Sequence, residues 1–551
     1  MKIVVAKLIA REVERSVEEI ADLIEVPPKL EMGDYSFPCF RSAKDFRKSP
    51  IEIARDLASE IRVGRGVDRV EAVGGYLNFF VDRRVFVDRV LNRVLKFDFV
   101  DSVRRVGVEY PSPNTNKPLH VGHLRNMAIG NAITSLLKAV GNEVFHLNLF
   151  NDRGILICKS MIGYERFAKG ETPGSVGVKG DKFVGDLYVK FSQESKKNPD
   201  LDKLAEEKLR LWEAGDEETI KLWGKMNDWA YEGISETCEL FGLEEVDASY
   251  YESKIYKDGR KIVEEGLRDG VFVEKDGAII VDLKDEGLGE KVLLRKDGTS
   301  VYITQDLVLA KKKIADFDLD SSYYVVGADQ KYHFEVLFSV LNKLGMKKDW
   351  KHLSYGMVRL PSGKMSSRDG VVVMADDLIK EAMDIARRGL VARGSCDELE
   401  KRARVIALAA IKYSLLKVDT NRDIAFDTER ALEFEGDTGP YLLYSYARAS
   451  SLLRKAGSVG YENCRVDDVE YRLVKRLDEF ECVVRKAYEG LAPNMIVNYC
   501  GELARDFNEF YHACPVLGGS KEGFRLKVVE RFRDVLGKGL GLLGIEKLEE
   551  M

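Results

Sequence analysis

The stretch VRRVGVEYPSPNTNKPLHVGHLRNMAIGNAITSLLKAVGNEVFHLNLF, residues 103–150, decides the fold. It opens on an apolar, β-branched run that predicts a strand. Pro111, Pro113 and Pro118 then stiffen a turn that cannot continue that strand. From Leu119 to Gly141 the apolar residues recur at helical spacing, and EVFHLNLF (143–150) reads as the next strand. Strand–turn–helix–strand is the first unit of a parallel α/β sheet. Ligands of such sheets collect at the strand-to-helix turn, where a helix N-terminus offers free N–H groups and the positive end of its dipole. His120 and His123 fall at that turn, in Leu119-His120-Val121-Gly122-His123. Gly122 removes a side chain where a flat base or sugar could approach, and two imidazoles can donate to phosphate oxygens. The same spacing allows a shared metal, although no third His or Cys lies near, and it also allows plain helix filling.

Outward from this unit, residues 1–100 combine a helical run, IEIARDLASEI (51–61), with a strand-like one, EAVGGYLNFFVDRR (71–84). Pro27-Pro28 and Gly33-Asp34 mark turns, and the whole has the size of one small α/β domain. Between about 165 and 295 the texture changes to charged helices and hairpin-like pieces such as DGVFVEKDGAIIVDL, which reads as an insertion within the α/β domain. The sheet pattern returns in SVYITQD (300–306), YYVVGADQ (323–330) and HLSYGMVRLP (352–361). From about 380 nearly every window has helical spacing. The expected organisation is a small N-terminal α/β domain (1–100), a Rossmann-like parallel-sheet domain with an insertion (101–375) and an all-helical C-terminal domain (376–551). No internal repeat or low-complexity tract is visible.

The composition narrows the function classes. With 551 residues the chain is long enough for three or four domains, and 45% hydrophobic residues suffice to bury their cores. No run approaches the ~18 uncharged apolar residues of a membrane span, and MKIVVAKLIAREVERS turns charged too soon for a signal peptide. The expectation is a soluble cytoplasmic protein that does not engage membranes. The net charge is −6, and residues 1–100 hold 18 basic against 17 acidic side chains. Any nucleic-acid contact must therefore come from a folded patch and not from a basic tail. None of the 8 Cys forms a C-x-x-C pair, so they read as reduced, core-filling thiols and no zinc site is expected.

A second string bears on chemistry. In SGKMSSRDG (362–370), Lys364 and Arg368 bracket two hydroxyls in a small polar loop. Two cations on such a loop suit a triphosphate as charge builds on a leaving pyrophosphate. In isolation the string reads better as a solvated surface loop. Paired and in this order, the two strings resemble the H-I-G-H and K-M-S-K-S signatures of the class I aminoacyl-tRNA synthetases. The match narrows around them: Glu109-Tyr110-Pro111-Ser112-Pro113-Asn114-Thr115-Asn116-Lys117-Pro118-Leu119-His120-Val121-Gly122-His123-Leu124-Arg125 resembles the arginyl-tRNA synthetase pattern E-x-S-S-P-N-x-x-K-P-x-H-x-G-H-L-R. NDRGILICKSM (151–161), DGTSVYITQDL (297–307), FEGDTGPYLLYSYAR (434–448) and LLGIEKLEEM (542–551) are similar to the same family, so the resemblance covers nearly all of the chain.

The resemblance implies an arginine–tRNA ligase whose substrates are ATP with Mg²⁺, L-arginine and tRNA(Arg), with no tightly held protein metal, in a family that is mostly monomeric. It implies that His120, Gly122, His123, Lys364, Met365 and Ser366 bind ATP and that Glu109, Ser112, Asn114, Tyr302, Asp306 and Gln330 bind arginine. A planar cation with five donors is best read by paired carboxylate acceptors, so Glu109 and Asp306 are expected to oppose each other across one cavity. Taken singly, Asp306 reads better as a helix-surface charge, and Glu109 equally as a surface-turn residue. The family loop carries a second Lys where this chain has Ser367, which makes Lys117 and Arg368 the candidates for the missing charge. Tyr76 and Asn78 match positions that hold a D-loop base; Tyr441, Tyr444, Arg448 and Lys455 lie on or near one stripe of the expected anticodon-binding bundle. Core packing is the alternative for these tyrosines. The rivals are a lysyl or cysteinyl synthetase, the latter disfavoured without a metal-spaced Cys cluster, a tRNA-binding paralogue without catalysis, and a His-centred metallohydrolase.

Overall fold

The computed structural model describes the chain except residues 14, 65, 300, 360–372, 395–396, 458–459 and 461–463. The described residues form two compact units. The first holds residues 1–95 together with 449–480 and 505–535. Its sheet comprises β1 (Tyr35–Pro38), β2 (Val67–Val73) and β3 (Tyr76–Val81), antiparallel in the order β1-β3-β2. The run read as a helix at 51–61 is the helix Pro50–Glu60, started by a capping box between Ser49 and Glu52 with Pro50 at its first turn. Buried Asp34 ties this sheet to the later segments: it accepts from the Val81 N–H (2.8 Å), the Tyr471 hydroxyl (2.9 Å) and the Lys475 ammonium (3.2 Å). Glu470, fully buried in the same unit, accepts from Arg525 (2.8 Å) and Lys521 (3.1 Å). Helical segments from beyond residue 448 thus share one body with the N-terminal sheet.

The second unit holds residues 96–448, 481–504 and 536–551. Its sheet is built from β4 (Arg105–Glu109), β5 (Glu143–Phe150), β6 (Ala248–Tyr251), and, after the antiparallel strands β7 (Val273–Lys275), β8 (Ala278–Leu283) and β9 (Gly289–Leu294), from β10 (Ser321–Gly327) and β11 (Asp349–Tyr355). The order is β11-β10-β4-β5-β6, every pair parallel. The strand–turn–helix–strand reading of 103–150 corresponds to β4, the helix Val121–Ala139 and β5. Two local expectations change. β6 lies inside the stretch read as an insertion, yet it extends the main sheet at the free edge of β5. The described part of that string, VYITQD (301–306), is not a strand: the helix Tyr302–Phe317 begins within it. Its β-branched residues favour a strand locally, but Ile303, Leu307, Leu309 and Ala310 bury at helical spacing against β5 and β10 residues such as Leu147 and Tyr324.

The Val121–Ala139 helix is held to the sheet by an exchange of bulk for contact. Tyr110, at the end of β4, is fully buried, stacks on His146 of β5 (ring centroids 3.9 Å apart) and lies across Gly130 of the helix. A Cβ added at Gly130 would meet the Tyr110 ring at 2.3 Å. Helix propensity alone makes Gly130→Ala stabilising by about 1 kcal/mol, whereas forced overpacking costs about 1–3 kcal/mol. We expect the packing to win: Gly130→Ala lowers the urea midpoint of unfolding, and a raised midpoint would show that the Tyr110 contact is not what selects glycine here.

Candidate active site

The turn between β4 and its helix is closed by the two histidines themselves. The Gly122 N–H donates to His120 Nδ1 (3.1 Å), and the His120 N–H donates to His123 Nδ1 (3.0 Å), a reciprocal cap with imidazoles in place of hydroxyl and carboxylate. Each Nδ1 is spent as an acceptor, so in the neutral ring the proton sits on Nε2, which leaves two Nε2–H donors at the helix N-terminus. Burial, reinforced by nearby Lys117, pushes His120 down to about 4, and burial with the His120 and Lys117 charges pushes His123 well below its ordinary value. Both rings are therefore neutral donors at physiological pH, not cations. Because the unfolded chain would protonate them near 6.5 while the folded one does not, they make the fold less stable as pH falls below that value. A Cβ at Gly122 would stand 2.9 Å from His120 Cε1 and 3.0 Å from its Nδ1, so the glycine is what lets the ring close over the backbone.

Neighbouring segments are pinned to this turn. The Val121 N–H donates to the Val373 carbonyl (3.2 Å) and the Ala375 N–H to the Leu119 carbonyl (2.9 Å). Fully buried Arg125 spreads its guanidinium over the carbonyls of Gly356 (2.5 Å) and Thr420 (3.0 Å), a structural use of its several donors. Lys364, Met365, Ser366, Ser367 and Arg368 lie outside the described residues. Lys117 is partly buried, and burial lowers its pKa.

Beside the turn lies a cavity of about 540 Å³. Asn114, Tyr302, Asp306 and Gln330 line it, along with Asn116, Asn151, Arg153, Glu252, Gln305 and His333. Tyr302, the first residue of its helix, is 79% exposed, a ring free to lie over an occupant. Asp306, one turn further on, accepts from His333 Nε2 on the next helix, Lys331–Lys343 (2.7 Å). Glu109 does not line the cavity. Its carboxylate, 6% exposed, is an ion pair with Lys313, whose side chain is wholly buried over the Tyr324 ring (4.0 Å), and it also accepts from the Ser112 hydroxyl (3.2 Å). Burial opposes the Lys313 charge, but Glu109 and Tyr324 together outweigh it, so that ammonium stays charged. The expected pair of facing acids is thus differently arranged, since Glu109 already has its cation.

The second carboxylate on the cavity is Glu252, which the sequence did not single out. Asp152, of the quoted NDRG string, accepts from the Ser253 N–H (2.8 Å) and hydroxyl (2.6 Å) and so sets Glu252 in place. Gln305, with its amide turned to satisfy both neighbours, donates to Glu252 (2.9 Å) and accepts from Arg153 (3.2 Å). Burial, only partly offset by Arg153 3.8 Å away, pushes Glu252 up to about 7. His333 follows Gln330 by one helical step, a signal visible in the sequence; Glu252 sits in a charged stretch where nothing distinguishes it. No group of three or more His, Cys, Asp or Glu able to hold a metal exists among the described residues.

In the first unit, Tyr76 and Asn78 border a cavity of about 330 Å³ rimmed by Glu25, Glu31 and Glu71. Tyr76 is partly exposed against the edge of Phe40, while buried Asn78 accepts from the Ser36 hydroxyl (2.6 Å) and so keeps its amide N–H groups for another partner. In the second unit, Tyr444 is exposed with the Arg448 guanidinium over its ring (4.5 Å) and donating to its hydroxyl (2.8 Å), and Tyr441 is half-buried one turn before. Lys455 is exposed. Among the described residues, no helix is long and apolar enough to cross a membrane.

A parallel sheet whose first helix is capped by an H-x-G-H pair, followed by a largely helical C-terminal part, is the arrangement of a class I aminoacyl-tRNA synthetase. Comparison with known families agrees: residues 87–428 match the catalytic domain of class I tRNA synthetases (R), residues 442–551 the DALR anticodon binding domain, and residues 3–81 the arginyl tRNA synthetase N terminal domain. The chain is 42% identical to an arginine–tRNA ligase of Treponema denticola (96% of this chain, 94% of that one) and 39% identical to one of Bacteroides fragilis (94% of each). Its structure resembles the Thermus thermophilus arginyl-tRNA synthetase with a TM-score of 0.85 at 27% identity over 100% of both chains. The chain belongs to the arginyl-tRNA synthetase family and is an arginine–tRNA ligase.

The geometry of the cap generates a test. Gly122→Ala should displace the His120 ring and lower kcat for arginylation at least ~10-fold while the melting temperature stays within a few degrees. An unchanged kcat would mean that closure of the imidazole over the Gly122 N–H has no part in catalysis.

Proposed function

We propose that the cavity reads L-arginine through Asp306, Tyr302, Asn114 and Gln330, with Glu109 and Ser112 supporting it from behind, and that ATP lies across His120, Gly122 and His123. What carries this reading is that the turn bearing the two Nε2–H donors also lends Asn114 and Asn116 to the cavity lining. Guanidinium is a fixed cation with a planar fork of donors, and a carboxylate can accept it on two oxygens. A neutral amino acid would bring Asp306 neither charge nor a fork of donors, and lysine brings the charge without the fork.

The substrate carboxylate is already ionised, so no side chain is needed as nucleophile. It attacks the α-phosphorus of ATP, arginyl-adenylate forms and pyrophosphate leaves; the terminal adenosine hydroxyl of tRNA then attacks the arginyl carbonyl, the acyl–phosphate bond breaks and AMP leaves. His120 and His123 donate to phosphate oxygens, while Lys364, with Met365 and Ser366 beside it in the sequence, and a second cation draw charge onto the pyrophosphate. Lys117 is the leading candidate for that cation, with Arg368 the alternative. Lys117 has neither a hydrogen bond nor an ion pair among the described residues and adjoins His120, so triphosphate would give its ammonium a partner. Mg²⁺ enters with ATP as part of the substrate.

Tyr76 and Asn78, in the domain spanning 1–100, hold an unpaired D-loop base, while Tyr441, Tyr444 and Arg448, in the helical domain spanning 376–551, face the anticodon side of tRNA(Arg). The enzyme works as a monomer in the cytoplasm.

His123→Ala should lower turnover at least ~10²-fold with tRNA affinity nearly unchanged; lost tRNA binding with normal ATP–pyrophosphate exchange would reject its role. In that exchange, run with tRNA present, Lys117→Ala should be more damaging than Ser367→Ala, and the reverse order would remove Lys117 from the pyrophosphate site.

A further inference from the structure

Asp306 is not a free acid waiting for a cation. One oxygen, Oδ2, is 2.7 Å from His333 Nε2, and among the described residues Oδ1 has no hydrogen-bond partner. Both side chains are 30% exposed and both line the cavity. They come from different helices, Tyr302–Phe317 and Lys331–Lys343, so the bond fixes the plane of a carboxylate that would otherwise rotate. The ring is held from its side by the edge-on Phe334 ring (5.7 Å between centroids).

We propose that His333 is the positioning residue for the substrate guanidinium: its Nε2–H holds Asp306 in register, and arginine binding drives the second ring proton, on Nδ1, into solvent. This rests on the reading of Asp306 as the guanidinium acceptor. In the empty cavity the imidazolium is the counter-ion of Asp306; the hydrogen bond to that carboxylate, acting against burial, raises the ring's pKa above its ordinary value. Arginine brings a cation that cannot lose its charge. Two cations then share one carboxylate, and the group that can deprotonate does so. Nε2–H stays on Asp306 throughout, so the substrate replaces the charge of His333 and not its hydrogen bond. An oriented carboxylate favours a planar fork over the rotationally loose ammonium of lysine.

The other charged groups of the cavity come from every element around it. Arg153, after β5, is paired with Glu213 (2.7 Å) and lies 3.8 Å from Glu252; Arg295, after β9, is at the lining; on the ring's own helix Lys331 faces Glu335 at 4.0 Å. Glu252 titrates near 7, and its ionisation also favours a cationic occupant, so the sign of the pH effect alone does not distinguish it from His333. The variants do.

The experiment is calorimetric titration of L-arginine into the full chain with tRNA(Arg) present and ATP omitted, in buffers of different ionisation enthalpy, paired with the arginine KM of aminoacylation from pH 5.5 to 8.5. The wild type should release close to one proton per arginine bound at the acid end, the release vanishing at the alkaline end, while KM falls up to ~10-fold per pH unit across the titration. His333→Gln, which keeps an amide donor for Asp306 and cannot titrate, should lose most of the release and flatten the KM profile; Glu252→Gln should keep both. Absence of proton release from the wild type, or an undiminished release in His333→Gln, overturns the proposal, as does its loss in Glu252→Gln alone. Asp306→Asn separates the two levels. A large rise in KM at every pH keeps the reading of Asp306 intact, whereas an unchanged KM rejects that reading and this proposal with it.

Discussion

Two backbone N–H groups at the start of one helix need acceptors, and the chain gives them imidazoles. That requirement organises the catalytic end of the molecule. With Nδ1 of His120 and of His123 consumed by the backbone, the tautomer, the ring planes and the outward Nε2–H donors follow together. Burial then keeps the rings neutral, so the helix start presents a pair of oriented N–H donors and not cations. The same turn donates to Val373 and accepts from Ala375, and the buried Arg125 behind it ties it to Gly356 and Thr420. Preorganised donors of this kind need no rearrangement when charge develops.

The cavity beside the turn obeys a different constraint, which is charge accounting. A site for a cation needs acids with unfilled acceptor capacity, and burying an acid without a partner is costly. The protein resolves this by giving each carboxylate a different companion. Glu109 has a permanent one in Lys313, Glu252 has Gln305 and a distant Arg153, and Asp306 has an imidazole that can give up its charge. An imidazole beside Asp306 covers that acid while the cavity is empty and can lose its proton when a cation arrives. The charge state of each acid around the cavity thus depends on its partner as much as on the acid itself.

In the first unit a similar rule governs cohesion. Asp34 and Glu470 are buried acids that collect donors from segments far apart in sequence, Val81, Tyr471 and Lys475 in one case, Arg525 and Lys521 in the other. Removing one partner from such a cluster costs more than the cluster itself contributes, which makes the N-terminal sheet and its helical companions interdependent.

The sequence by itself determined the β4–helix–β5 unit, the helical character of the C-terminal part and the two histidines at the helix start, because each is a local pattern: proline stiffness, apolar periodicity and a cap read within a few residues. Family motifs also carried it to Asp306, Tyr302, Asn114 and Gln330. Only the tertiary structure decided that β6 joins the main sheet, that VYITQD turns helical under the burial of Ile303 and Leu307, and that Glu109 is neutralised by a lysine 204 residues away. It also decided that Glu252 faces the cavity. A strand edge, a core and an ion pair are satisfied by whatever the fold brings alongside, and local sequence carries no record of which distant residue that is.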